Sequence, residues 1–264
     1  MGQITAHFAM EQVLARAEST GMAAAIRDSN HCGAVGYYAA QAVAQDAVGI
    51  ATTNALPSMA PWGGAERLLG INPLAVAVPA GEEHPILYDA AFSGSSHGKI
   101  RVYQQQGRPI PADWALDRTG QPTTDAAVAL EGLLQPIGQF KGTGLAMIMG
   151  MLSSLLSGAA YGTDLGSMET GPKPGQDGHF VAAIRIEAFE DVGRFKRRVD
   201  QAIRQLHACR RAPGFDRVYA PGELEHHSRE KYHREGIPLN RVTLDDVRAV
   251  ARRQGARQQY GWLR

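Results

Sequence analysis

Pro136-Ile-Gly-Gln-Phe-Lys-Gly-Thr-Gly144 runs directly into Leu145-Ala-Met-Ile-Met-Gly150, a glycine-rich turn opening an uncharged apolar segment. Glycines let a backbone approach a ligand closely, and free N–H groups at a helix start favour an anion. Lys141 adds a full positive charge at that point, so the turn suits a pyrophosphate or a 2′-phosphate. The spacing nevertheless matches no familiar phosphate loop. Gly142-Thr-Gly144 continues as Leu-Ala-Met, not as the GxGxxG of a Rossmann turn. Gly94 and Gly98-Lys99 stand one residue too close for a P-loop, and Ile100 occupies the place of its Ser or Thr. A nucleotide site built on this turn therefore belongs to a different fold, and an ordinary turn with a solvated lysine is an equal reading of these residues alone.

Downstream, residues 142–162 carry no charge and are long enough to span a bilayer. They are rich in Gly, Ser and Ala and have no flanking aromatic belt. Leu145, Ile148, Met149, Leu152, Leu155, Leu156 and Ala159 share one helical face, with small residues opposite. That pattern predicts a buried helix packed on all sides inside a globule.

Upstream, helical spacing covers residues 5–20, followed by a strand over 22–27 and the loop Asp28-Ser-Asn-His-Cys-Gly33. A helix is expected over 34–46, and strands over 48–53, 74–79 and 86–91. The Pro- and Gly-dense stretch 54–73 is long for a connection, and ordered loops of that length tend to carry function. Further on, 124–134 reads as a helix, 163–178 as a mobile polar stretch and 179–186 as a strand. Val192, Phe195, Val199, Ile203 and Leu206 mark an amphipathic helix. Thr243-x-x-Asp246 reads as a capping box opening a helix that Gly255 closes. Strands interleaved with helices give an α/β class with a mixed sheet.

Composition narrows the function. The chain has 264 residues, 44% hydrophobic and 20% charged, enough for a large core. A net charge of +1 offers no basic excess for nucleic acid or a membrane surface. Cys32 and Cys209 lie far apart and outside any CxxC, so neither a disulfide framework nor a thiolate metal site is indicated. The first residues lack a secretory pattern, which predicts the cytoplasm.

Chemistry-bearing residues are few. His31 lies in a loop after a strand, where imidazole could donate a proton as hydride reaches a carbonyl; a structural hydrogen bond is the plainer role. Asp89 ends a strand and either bonds a ribose hydroxyl or caps the next turn. Glu223-Leu-Glu225-His-His227, with His233 beyond, lacks HExxH spacing and sits among charges typical of a solvated helix, so no metal is expected. No GxSxG is present for a serine hydrolase.

Taken together, several stretches resemble the malate/L-lactate dehydrogenase family of the second type, which includes L-sulfolactate, ureidoglycolate and diketogulonate enzymes and the piperideine- and pyrroline-2-carboxylate reductases. They are Ser29-Asn-His-Cys-Gly-Ala-Val-Gly-Tyr-Tyr38, Thr53-Asn-Ala-Leu-Pro-Ser-Met-Ala-Pro-Trp-Gly-Gly64, Leu69-Gly-Ile-Asn-Pro-Leu-Ala75 and Tyr88-Asp-Ala-Ala91. Gly98-Lys-Ile100, the run from Trp114 to Asp125, Lys141-Gly-Thr-Gly-Leu145, Gly178-His179 and Pro221-Gly-Glu223 come next in consistent order.

The resemblance implies a non-Rossmann α/β dinucleotide-binding fold of the L-sulfolactate dehydrogenase-like type, usually dimeric. It implies one oxidoreductase unit over 1–264, with a cofactor-binding core near 48–220 and with 1–47 and 221–264 packing as a second lobe. NAD or NADP would be held by Asp89, Ala90, Ala91, Lys141, Gly142, Pro221, Gly222 and Glu223. His31 would be the acid/base group. The implied reaction is interconversion of a 2-oxo acid and a 2-hydroxy acid. The alternatives are cyclic imino acid reduction, or a weakened nucleotide-binding relative that pairs with a fuller protein. The chain departs from the family pattern by beginning downstream of a helical segment with a His-Gly pair. It also carries Cys32 where Phe is usual, Phe92 where Thr is common, and Gln139-Phe140 in the glycine turn.

Overall fold

Alanine, valine and glycine dominate the strands at the centre of the protein, a composition that allows helices to approach a sheet closely. The structure, a computed structural model, describes residues 2–167 and 175–255. Its elements in chain order are α1 (Gly2–Arg16), β1 (Gly21–Ser29), α2 (Gly36–Ala40), β2 (Ala47–Thr53), β3 (Leu74–Val78), β4 (Ile86–Ala90), α3 (His97–Gln105) and β5 (Ala115–Leu116). The chain continues through α4 (Ala126–Glu131), β6 (Leu133–Leu134), α5 (Phe140–Gly150), β7 (Asp177–Arg185), α6 (Val192–His207), α7 (Glu223–Glu235) and α8 (Arg241–Arg253). The described residues form two units, divided between Gly222 and Glu223. Residues 1–47 contribute α1 and β1 to the first, and α7 and α8 make up the second. The stretch expected to be mobile, 163–178, includes 168–174, which lie outside the described residues.

Five strands form a sheet in the order β1-β7-β2-β3-β4, with all four pairings antiparallel, where the sequence pattern suggests a mixed sheet. The connections explain this. The chain doubles back between β2 and β3 and again between β3 and β4, and a strand that returns along its neighbour runs antiparallel. One face takes α1 and α2 over a core that includes Met10, Val13, Tyr38, Ala51, Ala75 and Val181. A Cβ on Gly49 would lie 2.0 Å from the Ala39 carbonyl oxygen, so only glycine allows α2 that close to β2. A second core, with Met59, Phe92, Ile100, Leu134 and Ala146, joins α3, α4, α5 and the long loop.

The expected buried helix is present, with a different geometry. It is α-helical over Phe140–Gly150 and widens to a π-helix over Met151–Leu155. It is not packed on all sides. Gly142, Ala146, Gly150, Ser153 and Ser154 face inward, while Ile148, Leu155 and Leu156 are 52%, 55% and 62% exposed. Close approach decides the orientation: a Cβ on Gly142 would meet the Ile137 carbonyl oxygen at 2.3 Å, and one on Gly150 would meet Asn72 at 2.6 Å. Asn72 Nδ2 also donates to the Ala146 carbonyl at 2.8 Å. Contacts this close require the side without bulk, so Ile148, Leu155 and Leu156 turn outward, while Met149 and Leu152 pack against the second core.

The long loop is ordered by the same means. Asn72 Oδ1 accepts from Ala55 N at 2.9 Å, and Met59 and Leu69 exchange backbone hydrogen bonds. At α8 the cap is Asn240, whose side chain accepts from Thr243 N at 2.8 Å, in place of the expected Thr243 box; Gly255 then succeeds the helix at φ +63, as expected.

Helix α6 is fixed to the sheet's far turn by Asp200, which is buried at 3% exposure and accepts from the amides of Gly81, Glu82 and Glu83. Burial works to raise its carboxyl's pKa, but these amides and Arg204 hold it below the usual value. A carboxylate with a depressed folded pKa stabilises the fold above its unfolded pKa and loses that contribution as pH falls through the folded one. Asp200→Ala is expected to cost roughly 3 kcal/mol at neutral pH, and to flatten the acid limb of stability, read as melting temperature against pH. An acid limb as steep as that of the wild type would contradict the assignment.

Candidate active site

The loop bearing His31 leaves the sheet at a defect. Ile26 pairs with His179, but Ser29 pairs with Asp177, so β1 carries one extra residue there, with Asp28 at φ +55. A bulge of this kind bends a strand and re-aims the residues beyond it. His31 itself is exposed, and its Nδ1 accepts from the Gly33 amide at 3.0 Å. Gly33 stands at φ +81, where a side chain would be strained. With Nδ1 accepting, the hydrogen of the neutral ring resides on Nε2, which becomes its donor. The first turn of α1 presses on this loop: a Cβ on Gly2 would lie 1.8 Å from the Asn30 carbonyl oxygen.

Around the loop stands a polar group whose members lie in three separate motif stretches and meet only in the fold. His179 is 1% exposed, its Nδ1 2.8 Å from Thr53 Oγ1 and its Nε2 3.0 Å from Ser29 Oγ. Burial pushes its pKa down to about 4, against a hydrogen bond with the Asn30 backbone that works the other way, so the ring is neutral near pH 7. The Cys32 thiol meets Thr53, and burial pushes it up to about 11. Tyr38 donates its hydroxyl to the Cys32 carbonyl. Burial also raises the Asp177 carboxyl, opposed by His31 nearby. Asn54 ties the end of β2 to the start of β7 and to the π-turn, accepting from Gly178 N and donating to Ser154 Oγ and the Ala160 carbonyl. A signal for this group is present in the sequence: Ser29, Thr53 and His179 are polar residues at the ends of otherwise apolar strands.

Most of the residues expected to hold the cofactor fall along one edge. β4 is the last strand of the sheet, and its Leu87 amide donates to the Pro221 carbonyl at 3.0 Å. Gly222, at φ +93, packs so closely that a Cβ would be 2.9 Å from Leu87. Asp89, Ala90 and Ala91 continue along β4 to Phe92, whose carbonyl accepts from Ile137 N in the glycine turn. That turn carries Lys141 and Gly142. Glu223 is buried at the start of α7, in the other unit.

Two expectations change in detail. Asp89 does cap, but what it caps is α2: its Oδ2 accepts from Gly36 N at 2.8 Å, which joins β4 to the helix that comes after His31. The amides of Lys141 and Gly142 donate to the carbonyls of Gly138 and Ile137, so these two are not free to form an anion nest. What the turn presents there is the exposed side chain of Lys141. Among the described residues, no three His, Cys, Asp or Glu side chains converge as for a metal ion, and no described helix is long and apolar enough to cross a membrane.

The family model described as malate/L-lactate dehydrogenase matches residues 1–248. A malate dehydrogenase of Pyrococcus horikoshii is 36% identical over 264 residues, covering 97% of this chain and 72% of the relative. The ureidoglycolate dehydrogenase (NAD(+)) of Escherichia coli strain K12 is 34% identical, covering 93% and 69%. The solved sulfolactate dehydrogenase of Methanocaldococcus jannaschii superposes with a TM-score of 0.88 at 34% identity, over 96% of this chain and 73% of that one.

Proposed function

This chain belongs to the malate/L-lactate dehydrogenase family, and from that premise we propose that it interconverts a 2-oxo acid and its 2-hydroxy acid by hydride transfer with NAD or NADP. The observation that carries this reading is the Gly36–Asp89 hydrogen bond. It makes the His31 loop and the β4 edge parts of one piece, so that a proton donor and a dinucleotide edge share a fixed relation.

The bound nicotinamide would supply or accept the hydride. The residues of the chain do the rest. Lys141 holds phosphate charge, Ala90, Ala91, Pro221 and Gly222 leave room along β4, and Asp89 completes the set assigned to the cofactor within the first unit. In its imidazolium form, with Nδ1 carrying a proton in place of the Gly33 hydrogen bond, His31 gives its Nε2 proton to the carbonyl oxygen of the 2-oxo acid as that oxygen gains charge, leaving a neutral ring. In oxidation the same nitrogen recovers the proton.

The test is loss of NADH and NADPH absorbance with oxaloacetate, pyruvate and a cyclic imino acid. Turnover of a 2-oxo acid is expected. Turnover of the imino acid alone would move the substrate class to C=N reduction. Cofactor binding by fluorescence without any turnover would favour the weakened relative, and neither binding nor turnover would overturn the reading.

We read the assembly as a homodimer, covering the outward face of α5 with Ile148, Leu155 and Leu156. A contiguous apolar face of this kind is costly to leave in water. Sedimentation at micromolar concentration should give a dimer, and Leu155→Asp with Ile148→Asp should shift it towards monomer. A wild-type monomer would contradict the assignment.

A further inference from the structure

Ser29 and Asn30 precede His31 and Cys32 comes after it, and all three bond to one buried pair. His179 takes Ser29 Oγ at 3.0 Å and the Asn30 backbone, and Thr53 takes Cys32. The two join at 2.8 Å through His179 Nδ1 and Thr53 Oγ1. They come from different strands, β7 and β2, which lie side by side in the sheet with Thr53 opposite His179 in register. Thr53 Oγ1 also has the carbonyls of Asn54 and Gly178 at 3.0 and 3.2 Å. The loop is thereby fastened to the middle of the sheet on both sides of His31, by the Ser29 hydroxyl and the Asn30 backbone before it and by the Cys32 side chain after it.

A buried polar pair would be an expensive way to fill this space, because a hydroxyl and an imidazole left without partners cost more than apolar groups of the same shape. Both imidazole nitrogens and the hydroxyl are used, and the use converges on the loop. We infer that His179, with Thr53, is a positioning pair for His31, holding the loop so that the Gly33 amide meets Nδ1 and the ring's hydrogen stays on Nε2. The neutral ring also places no second positive charge beside a protonated His31. This inference rests on the reading of His31 as the group that handles the substrate proton. Its consequence for the tautomer of His31 does not.

The experiment compares the wild type with Thr53→Val, His179→Gln and His179→Phe in the full chain. Turnover is read by NAD(P)H absorbance, cofactor affinity by fluorescence, and the His31 ring by ¹⁵N–¹H spectra of histidine-labelled protein. His179→Phe should lower kcat by about ten- to a hundredfold, the scale of a displaced reacting group, with cofactor affinity little changed. His179→Gln, whose amide can still donate to the loop, should recover a substantial part of that loss. The wild-type spectrum should show His31 protonated at Nε2 and not at Nδ1, and Thr53→Val and His179→Phe should each give a mixture of tautomers. Unchanged kcat together with an unchanged His31 spectrum in all variants would overturn the proposal. So would a loss in His179→Phe that glutamine does not relieve while the His31 spectrum stays as in the wild type, since that describes a purely structural residue. Should the wild type turn over no substrate, the functional reading fails separately, and the spectra of Thr53→Val and His179→Phe alone decide the positioning role.

Discussion

Replacing His31 by glutamine is expected to lower kcat by about 10²–10⁴-fold, and replacing it by alanine to lower it as far. Cofactor affinity should hardly move, because the expected cofactor residues lie along β4 and the glycine turn. Glutamine is the informative variant. Its amide can place an N–H donor near the position of Nε2 but has no proton to give at neutral pH. If His31 only orients the substrate, glutamine should retain most of kcat and alanine should mainly raise KM. If His31 passes the proton, both variants fall together. The limb of the pH–rate profile that declines as imidazolium deprotonates in the reductive direction should then vanish from both. A glutamine variant with wild-type kcat and that limb intact would remove His31 from the chemistry.

The Gly33 hydrogen bond gives this comparison its structural content. With the Gly33 amide donating to Nδ1, the neutral ring carries its hydrogen on Nε2, and the imidazolium that gives up the proton forms by exchanging that hydrogen bond for a proton on Nδ1. The histidine is readable as a candidate from the sequence, because a lone imidazole in a loop after a strand is a recognisable signal. Its setting is not. The partners of the loop come from residues 53 and 179, far apart in the chain and adjacent only after β7 inserts between β1 and β2. Periodicity within a segment carries no information about which distant strand becomes its neighbour.

The same distinction runs through the fold. Strands β2, β3 and β4 and helices α1 and α6 are legible because apolar periodicity is a local property. Parallel against antiparallel is not, since it depends on where each connection returns. α5 is the clearest case. The spacing of Leu145, Ile148, Leu152 and Leu155 marks a helix correctly, yet the expectation that it is packed on all sides fails at Ile148, Leu155 and Leu156. What sets its orientation is how near the Asn72 side chain and the backbone of residue 137 come, and the row of Gly142, Ala146 and Gly150 admits them. Asp89 shows the converse. Its sequence position allows either a ribose contact or a cap, and the structure uses it as a cap for a helix that begins 53 residues earlier.

Two glycines of the glycine-rich turn, separated only by Thr143, are expected to respond to alanine with opposite sign. At Gly142 a Cβ would lie 2.3 Å from the Ile137 carbonyl oxygen, 2.7 Å from its nitrogen and 3.0 Å from the Phe92 carbonyl oxygen. All three are backbone atoms, so nothing can yield except the turn itself. Gly142→Ala should cost about 3 kcal/mol, at the upper end for overpacking, lowering the melting temperature by roughly 6–12 °C for a chain of this size. It should also displace Lys141 and weaken NAD(P)H binding by at least about tenfold. At Gly144 nothing lies within 4 Å of the added carbon, and the position is helical. Gly144→Ala should therefore stabilise by about 0.5–1 kcal/mol through helix propensity. Lys141→Ala separates charge from shape: affinity should fall by about tenfold, the scale of one charge-assisted contact, while the melting temperature stays near that of the wild type. Equal melting temperatures for the two glycine variants would show that the turn is looser than the contacts at Gly142 require. Unchanged cofactor affinity in Lys141→Ala would take the phosphate away from this turn and leave its glycines a role in packing alone.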